Sequence, residues 1–405
     1  MDLQPRNAEK IVRLIQKGVS IPNPLSIDLD DAVDPERISG DGVALFPGCR
    51  VYGAKTVISA GSKLGAEGPV TLDDCRLGPG VQLKGGYFKK SVFLEGANMG
   101  LGAQVREGCL LEEEANGAHC VGLKQTILFP FVTLGSLINF CDCLMAGGTS
   151  RKVHSEVGSS YIHFNYTPDG DKTTASLFGD VPRGVMLDQP PIFLGGQGGA
   201  VGPVRVGYGT VIAAGSVLRH DVPEDGKLVF DAPATSPDKD HQPRNYRNLP
   251  RIVRNNVLYI ANLVALEQWY RKVRQPFFAR QELGIPVYEG ALEMLTLARD
   301  ERARRLIAMA AKVPARDDAC REFIERADGV RALFEDHSDL PDGAAFLAAL
   351  TRETGSATGN YTETMQSLSP EVRAAGVQWL GQIVETLSAR TGRLLESMHL
   401  FDAHR

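Results

Sequence analysis

The sequence predicts a mainly β chain: a parallel β-helix built of hexapeptide repeats, followed by an all-α C-terminal domain. Three observations carry this prediction. First, two hexads stand back to back at Val206-Gly207-Tyr208-Gly209-Thr210-Val211 and Ile212-Ala213-Ala214-Gly215-Ser216-Val217, and Leu218 opens a third. Second, aliphatic residues at Val51, Val57, Leu64, Val70, Leu77 and Leu83 step along at six or seven positions. Third, the period turns helical after about residue 250. A six-residue period is neither the 3.6 of a helix nor the alternation of a long strand. It suits a chain wound as a triangular prism, with the aliphatic residue pointing inward and a small residue at each tight corner. A β-sandwich with glycine turns is the competing reading, but its strands alternate over longer stretches between turns.

The elements follow in order. Residues 1–36 form an N-terminal helix and arm, in which 6–18 is amphipathic with Ala8, Ile11, Val12 and Ile15 on one face. Residues 37–232 form the β-helix. Within it, Leu77-Gly78-Pro79-Gly80-Val81-Gln82 and Leu101-Gly102-Ala103-Gln104-Val105-Arg106 fit one template, in phase. Glycines at 61, 65, 68, 78, 80, 85 and 86 fit corners, which demand positive φ or close backbone approach. A less regular polar insert occupies about 146–200. Residues 233–250, with four prolines and several charges, read as a linker. Residues 251–405 are helical, with one stripe at Val253, Val257, Ile260, Leu263, Leu266, Tyr270 and Val273. A second stripe runs through Val377, Leu380, Val384, Leu387, Leu394 and Met398. The arginines at 299, 302, 304 and 305 read as a solvated helix face.

Composition narrows the function classes. The net charge of -5 argues against nucleic acid as a partner. The sequence has no apolar run long enough for a membrane span, and its first residues lack the apolar core of a signal peptide. Seven cysteines without framework spacing read as reduced thiols, so the expected location is cytoplasmic. Cys141-x-Cys143 is a poor basis for a four-ligand site, and no metal is expected.

The chemistry is expected in the insert. It reads Gly147-Gly148-Thr149-Ser150-Arg151-Lys152-Val153-His154, then Tyr161-Ile162-His163-Phe164-Asn165-Tyr166, then Asp169-Gly170-Asp171-Lys172. Alternation turns Ile162 and Phe164 inward, leaving His163 and Asn165 on one outer face. A neutral imidazole is a good general base near neutral pH, able to take a proton from an amine or hydroxyl attacking a thioester. Arg151, Lys152 and Lys172 suit phosphate, and Asn165 suits a carbonyl or the nucleophile. The plainer reading is that these polar residues solvate an exposed loop.

Hexads and insert together resemble the left-handed β-helix acyltransferases. They are most similar to the acetyltransferase domain of the bifunctional UDP-N-acetylglucosamine pyrophosphorylase/glucosamine-1-phosphate N-acetyltransferases. The resemblance rests on Asn139-Phe140, Lys152-Val153-His154, Asn165-Tyr166, Lys172 and Ile212-Ala213-Ala214-Gly215, in that order. It implies left-handed winding, with His154 as the base that deprotonates an acceptor amine and His163 as its rival. It also implies that Asn165 and Tyr166 line the sugar and acetyl site near Lys172, and that Ala213 and Ala214 face the pantetheine arm. Gly196, within Gly195–Gly199, falls where the family's coil borders the cofactor, although such glycines also suit a loose corner. Acetyl-CoA or another acyl-CoA is the implied co-substrate, a small sugar compound the implied acceptor, and a homotrimer the implied assembly.

The sequence also departs from the family. Phe129 stands where an arginine is expected, and Cys141-Asp142-Cys143-Leu144 replaces a lysine-bearing stretch. Only ten residues separate His154 from Asn165, and no nucleotidyltransferase segment is visible. Three readings therefore stand: a CoA-dependent acyltransferase on an amino sugar, sugar phosphate or sugar nucleotide; a non-catalytic sugar-nucleotide-binding or scaffolding β-helix; and a γ-carbonic-anhydrase-like metal hydratase using His119, His154 and His163.

Overall fold

The computed structural model describes residues 4–163, 173–231, 244, 246, 248–355 and 359–402. Between Asp28 and Val229 the chain winds as a parallel β-solenoid with three faces. The first face is a 10-stranded sheet running from Ala44–Leu45 to Leu228–Val229. A 16-stranded sheet folds round an edge to supply the other two. The second face runs from Asp28–Leu29 to Val217–Leu218, and the third from Val57–Ile58 to Arg205–Val206. Two long strands, Val121–Leu128 and Ile138–Met145, pass through that edge, bending at Gln125 and Asp142, whose φ angles are 50° and 57°.

The hexads explain the interior. Val206, Ile212 and Leu218 point inward, as do Val51, Leu64, Val70, Leu77 and Leu83. Val57, expected inside, lies on the outer side in register with Arg76, and its neighbour Ile58, in register with Leu77, takes the inward place. Where the repeat is regular, Phe193 pairs with Val211 and Gly199 with Val217, three hexads on in each case. The template placed on Leu101 is out of phase. Leu101 is 45% exposed, whereas Met99 and Val105, six apart, are fully buried. The cause is a short coil, because Gln82 pairs with Asn98, two residues short of three hexads. Corners stack in columns of left-handed residues, and at Gly80 and Gly96 glycine adopts that conformation without strain.

Helix α1 (Ala8–Lys17) forms as expected but shows a different face to the core. Ile11 and Leu14 are buried, while Val12 and Ile15 are 51% and 41% exposed. The choice follows the i, i+3 spacing of the two residues that reach the solenoid's first coil. Among the described residues, a hairpin after Met145 and a stretch carrying the short helix α2 (Val181–Gly184) interrupt the later coils.

The helical region begins with α3 (Leu249–Trp269) and continues through a π-turn (Tyr270–Arg274) into α4 (Gln275–Ala279). It then runs through α5 (Gly284–Ala310), α6 (Asp318–Glu335), α7 (Ala344–Thr354), α8 (Tyr361–Ser367) and α9 (Pro370–Leu394). Every residue of the first expected stripe is buried. In the second, Leu380, Leu387 and Met398 are buried, and Val377, Val384 and Leu394 pack against the core. α3 and α5 lie on the third face of the solenoid, so one apolar core runs through both regions.

Polar contacts mark this seam along its length. Arg76 pairs with Glu293 at 2.8 Å, and Ser39 donates to Glu282 at 2.6 Å. Tyr270 donates to Glu112 at 2.5 Å, and Arg274 pairs with Glu112 at 3.1 Å and with Glu113. Asn262 accepts from the Val181 amide at 2.8 Å. The expectation of a solvated arginine face fails at Arg302, which is 2% exposed and pairs with Asp142 at 2.9 Å. Arg304 and Arg305 do lie outward, each paired with Glu301.

Candidate functional site

Three of the residues singled out in the insert, Arg151, Lys152 and His154, are held by the hairpin that interrupts the edge between the third and first faces. Its strands, Gly148–Ser150 and Val153–His154, are antiparallel in an otherwise parallel fold. Gly148 has a φ of +103°, and a Cβ there would lie 2.5 Å from the His154 Cα, so glycine is required for closure. Ser155 pins the base by donating to the Ala146 carbonyl at 2.8 Å and accepting from the Ile192 amide at 2.8 Å. Arg151 pins the turn, its Nη1 donating to the carbonyls of Glu114 and Phe131 and to Thr133 Oγ1, at 2.9–3.1 Å. The helical region reaches the same hairpin, because Gln366 in α8 donates to the Thr149 carbonyl at 2.6 Å.

On this support, His154 is half-buried, and its Nδ1 is enclosed without a hydrogen-bond partner among the described residues. Among the described residues no group fixes the tautomer of this imidazole. Lys152 stands exposed beside it. Arg151 already has three acceptors within the chain, so its Nη1 serves to anchor the hairpin.

The remaining expected residues lie elsewhere. His163 ends the strand Tyr161–His163 on the second face, opposite Val201, and its carbonyl accepts from the Gly202 amide. Gly196, Ala213 and Ala214 stack at the edge between the first and second faces. Gly195 would carry a Cβ 2.4 Å from the Ala214 nitrogen, and Gly158 one 2.5 Å from the Gly196 nitrogen. These glycines are therefore needed for coil-on-coil packing. The strand Glu156–Val157 separates His154 from Gly158 at the near end of this column by about 13 Å of extended backbone, and Gly196 and Ala213–Ala214 lie one and two coils further on. Asn165, Tyr166 and Lys172, like Phe164, lie outside the described residues.

The departures have structural consequences. Phe129, in place of an arginine, is buried beside Gly184 and Tyr208. In the Cys141–Leu144 stretch, Cys141 lies on the second face in register with Lys124, whereas Asp142 at the bend binds Arg302 of α5 and accepts from Thr174 at 3.0 Å. Burial pushes the Cys141 thiol up to about 11, so it is not a reactive thiolate. His119 bonds Ser136 at 2.8 Å, and among the described residues no group of three or more His, Cys, Asp and Glu could hold a metal ion. His119, His154 and His163 thus do not converge within the chain. Sequence reasoning missed the buried Glu112–Glu113–Arg274 cluster. Its signal was the run Glu112-Glu113-Glu114, three charges where a coil asks for aliphatic and small residues.

Comparison with known proteins agrees with a hexapeptide-repeat solenoid. A protein named bifunctional protein GlmU from Thermotoga maritima is 26% identical over 218 residues, which is 53% of this chain and 42% of that protein. The chain resembles the hexapeptide-repeat acyltransferases. Proteins of the same name from Pelobacter propionicus and Nocardia farcinica are 28% and 29% identical over 54% and 55% of the chain. Those matches cover 43% and 40% of the relatives, so the chain spans less than half the length of the GlmU proteins it matches. Among solved structures, LpxA from Acinetobacter baumannii aligns with 51% of this chain and 67% of its own, at 11% identity and a TM-score of 0.16. At that TM-score the likeness supports no statement about this chain. No family model matches. No described helix is long and apolar enough to cross a membrane.

Proposed function

We propose that this protein is a CoA-dependent acyltransferase, in the first instance an N-acetyltransferase, acting on an amino sugar, sugar phosphate or sugar nucleotide. The observation that carries the reading is the His154 hairpin: a half-buried imidazole with a free, enclosed Nδ1, held by Gly148, Ser155 and Arg151 on a built support. His154 takes the proton from the acceptor amine as it attacks the thioester carbonyl, and CoA leaves as the thiol. Lys152 attracts an acidic acceptor group. The resemblance alone assigns acceptor contacts to Asn165, Tyr166 and Lys172, and His163 is the rival base. Gly196, Ala213 and Ala214 border the pantetheine arm. A homotrimer brings the His154 edge of one copy to the alanine column of the next, which joins the two separated halves of the site. A cytoplasmic location suits a free thiol leaving group.

The second reading, a non-catalytic sugar-nucleotide-binding β-helix, is favoured by the buried Phe129 and the covered Cys141–Leu144 stretch. Incubating the protein with acetyl-CoA and a panel of amino sugars, phospho-sugars and UDP-sugars, with mass-spectrometric detection, separates the two. The first reading expects an acetylated acceptor and one CoA per product. Binding of a UDP-sugar with no transfer to any acceptor replaces it with the second.

A further inference from the structure

At the foot of the seam, the guanidinium groups of two arginines and the backbone amide of a third meet one carboxylate. Asp221 lies in the last coils and its side chain is 10% exposed. Its Oδ1 accepts from the Arg205 amide at 3.0 Å, from Asn255 Nδ2 at 2.9 Å and from Arg251 Nη2 at 3.3 Å. Its Oδ2 accepts from Arg254 Nη2 at 3.4 Å. Arg205 comes from the third face of the solenoid, while Arg251 and Arg254 project from the first turns of α3. The local sum of these four side chains is two positive charges.

Arg251 Nη2 also donates to the Pro203 carbonyl at 2.9 Å and the Arg219 carbonyl at 3.4 Å, so it forms the fixed wall of the cluster, and the under-used donors belong to Arg205 and Arg254. Arg205 Nε and Arg254 Nε are both enclosed without a hydrogen-bond partner among the described residues. An unpaired buried N–H of a charged group costs more than a neutral one, and two in one cluster need a physical reason. Burial and the nearby Arg254 and Arg251 hold the Arg205 guanidinium below its ordinary range despite Asp221. The side chains of Arg251 and Arg254 are each 26% exposed, so the cluster can be reached from solvent.

We propose that Arg205, Arg251 and Arg254 form a binding site for a phosphate-type oxyanion at the junction of the solenoid with α3. Guanidinium forks match the tetrahedral oxygens of such a group, and a bound dianion would balance the two excess charges. The site needs both regions, because neither the coil nor the helix alone presents all three arginines.

Thermal-shift titration of the full chain with inorganic phosphate tests this, against sodium chloride at equal ionic strength. Phosphate should give a saturable rise in melting temperature that chloride does not. Arg254→Gln should weaken the apparent affinity about tenfold. Asp221→Asn, which keeps the acceptor for Asn255 and the Arg205 amide but removes the charge, should strengthen it by a similar factor. This variant gives a rise in affinity, which damaged folding does not produce. Adenosine monophosphate forms the second arm: tighter binding than inorganic phosphate assigns the site to a phosphate ester, and the reverse order assigns it to the free ion. The proposal is overturned if both phosphates shift the melting point no more than chloride, or if neither substitution changes the affinity.

Discussion

The third and first faces of the solenoid carry the same coils and have opposite surfaces. On the third face the outward ladder runs Val57, Arg76, Val92, Leu110, Ile127, Leu144, and all of it is buried because α3 and α5 lie on it. On the first face the outward ladder runs Lys63, Gln82, Asn98, Asn116, Thr133, Glu156 and ends in Phe193, Val211 and Leu228, which are 37%, 39% and 63% exposed. A sheet buried on both sides is apolar on both, whereas one open to solvent alternates. The helices have thus taken over one face, including part of the stretch where the GlmU-type resemblance expects lysines. The open face leads to the His154 hairpin at one edge and the alanine column at the other.

The largest expected difference lies at Arg274. Replacing it with Met leaves Glu112 and Glu113 buried without their counter-charge and should cost about 3–5 kcal/mol in denaturant unfolding. A loss below about 1 kcal/mol would mean the seam is loose enough to admit water. Next, Leu110→Ala on the covered ladder should cost about 2–4 kcal/mol through lost burial and a cavity. A surface-like value there would deny that the helices cover this face in solution.

Acidity sharpens the contrast further. Burial pushes the Glu112 carboxyl up to about 7, against the opposing pull of Arg274. With the folded pKa above the unfolded one, the stabilising contribution is full below about pH 4.5 and is lost as pH rises through about 7. Glu112→Gln should therefore flatten the stability profile between about pH 5 and 8 relative to the wild type, as read by denaturant melts across that range. An unchanged slope would place the titration elsewhere. The smallest effect belongs to the open face, where Val211→Thr should move monomer stability by less than about 0.5 kcal/mol. A loss as large as that of Leu110→Ala would show that this face too is covered.

The covered face was legible in part. Adjacent apolar pairs at Val57-Ile58, Leu110-Leu111 and Ile127-Leu128 mark strands buried on both sides, whereas a six-residue spacing names only one inward residue per strand. The hexads identify most residues that fill the prism. They fail at Val57, where Ile58 is the inward residue, and at Leu101, because a coil two residues short shifts every later position. Arg302 read as solvated because its partner, Asp142, lies far away in sequence and a helix surface pattern carries no trace of it. The hairpin at 148–154 was legible as a break in the repeat. Its supports were not, since Arg151 is held by carbonyls from two earlier coils and Gln366 arrives from the helical region. The separation of His154 from Ala213 and Ala214 follows from the winding, which sets them at different edges of one face.

Turnover by His154→Ala tests the central claim most directly, measured as CoA release on the acceptor that the transfer screen identifies. The account predicts a fall of about 100-fold or more with acetyl-CoA binding and thermal stability kept, while His163→Ala retains most of the activity. Wild-type turnover in His154→Ala, or its loss in His163→Ala alone, would contradict it.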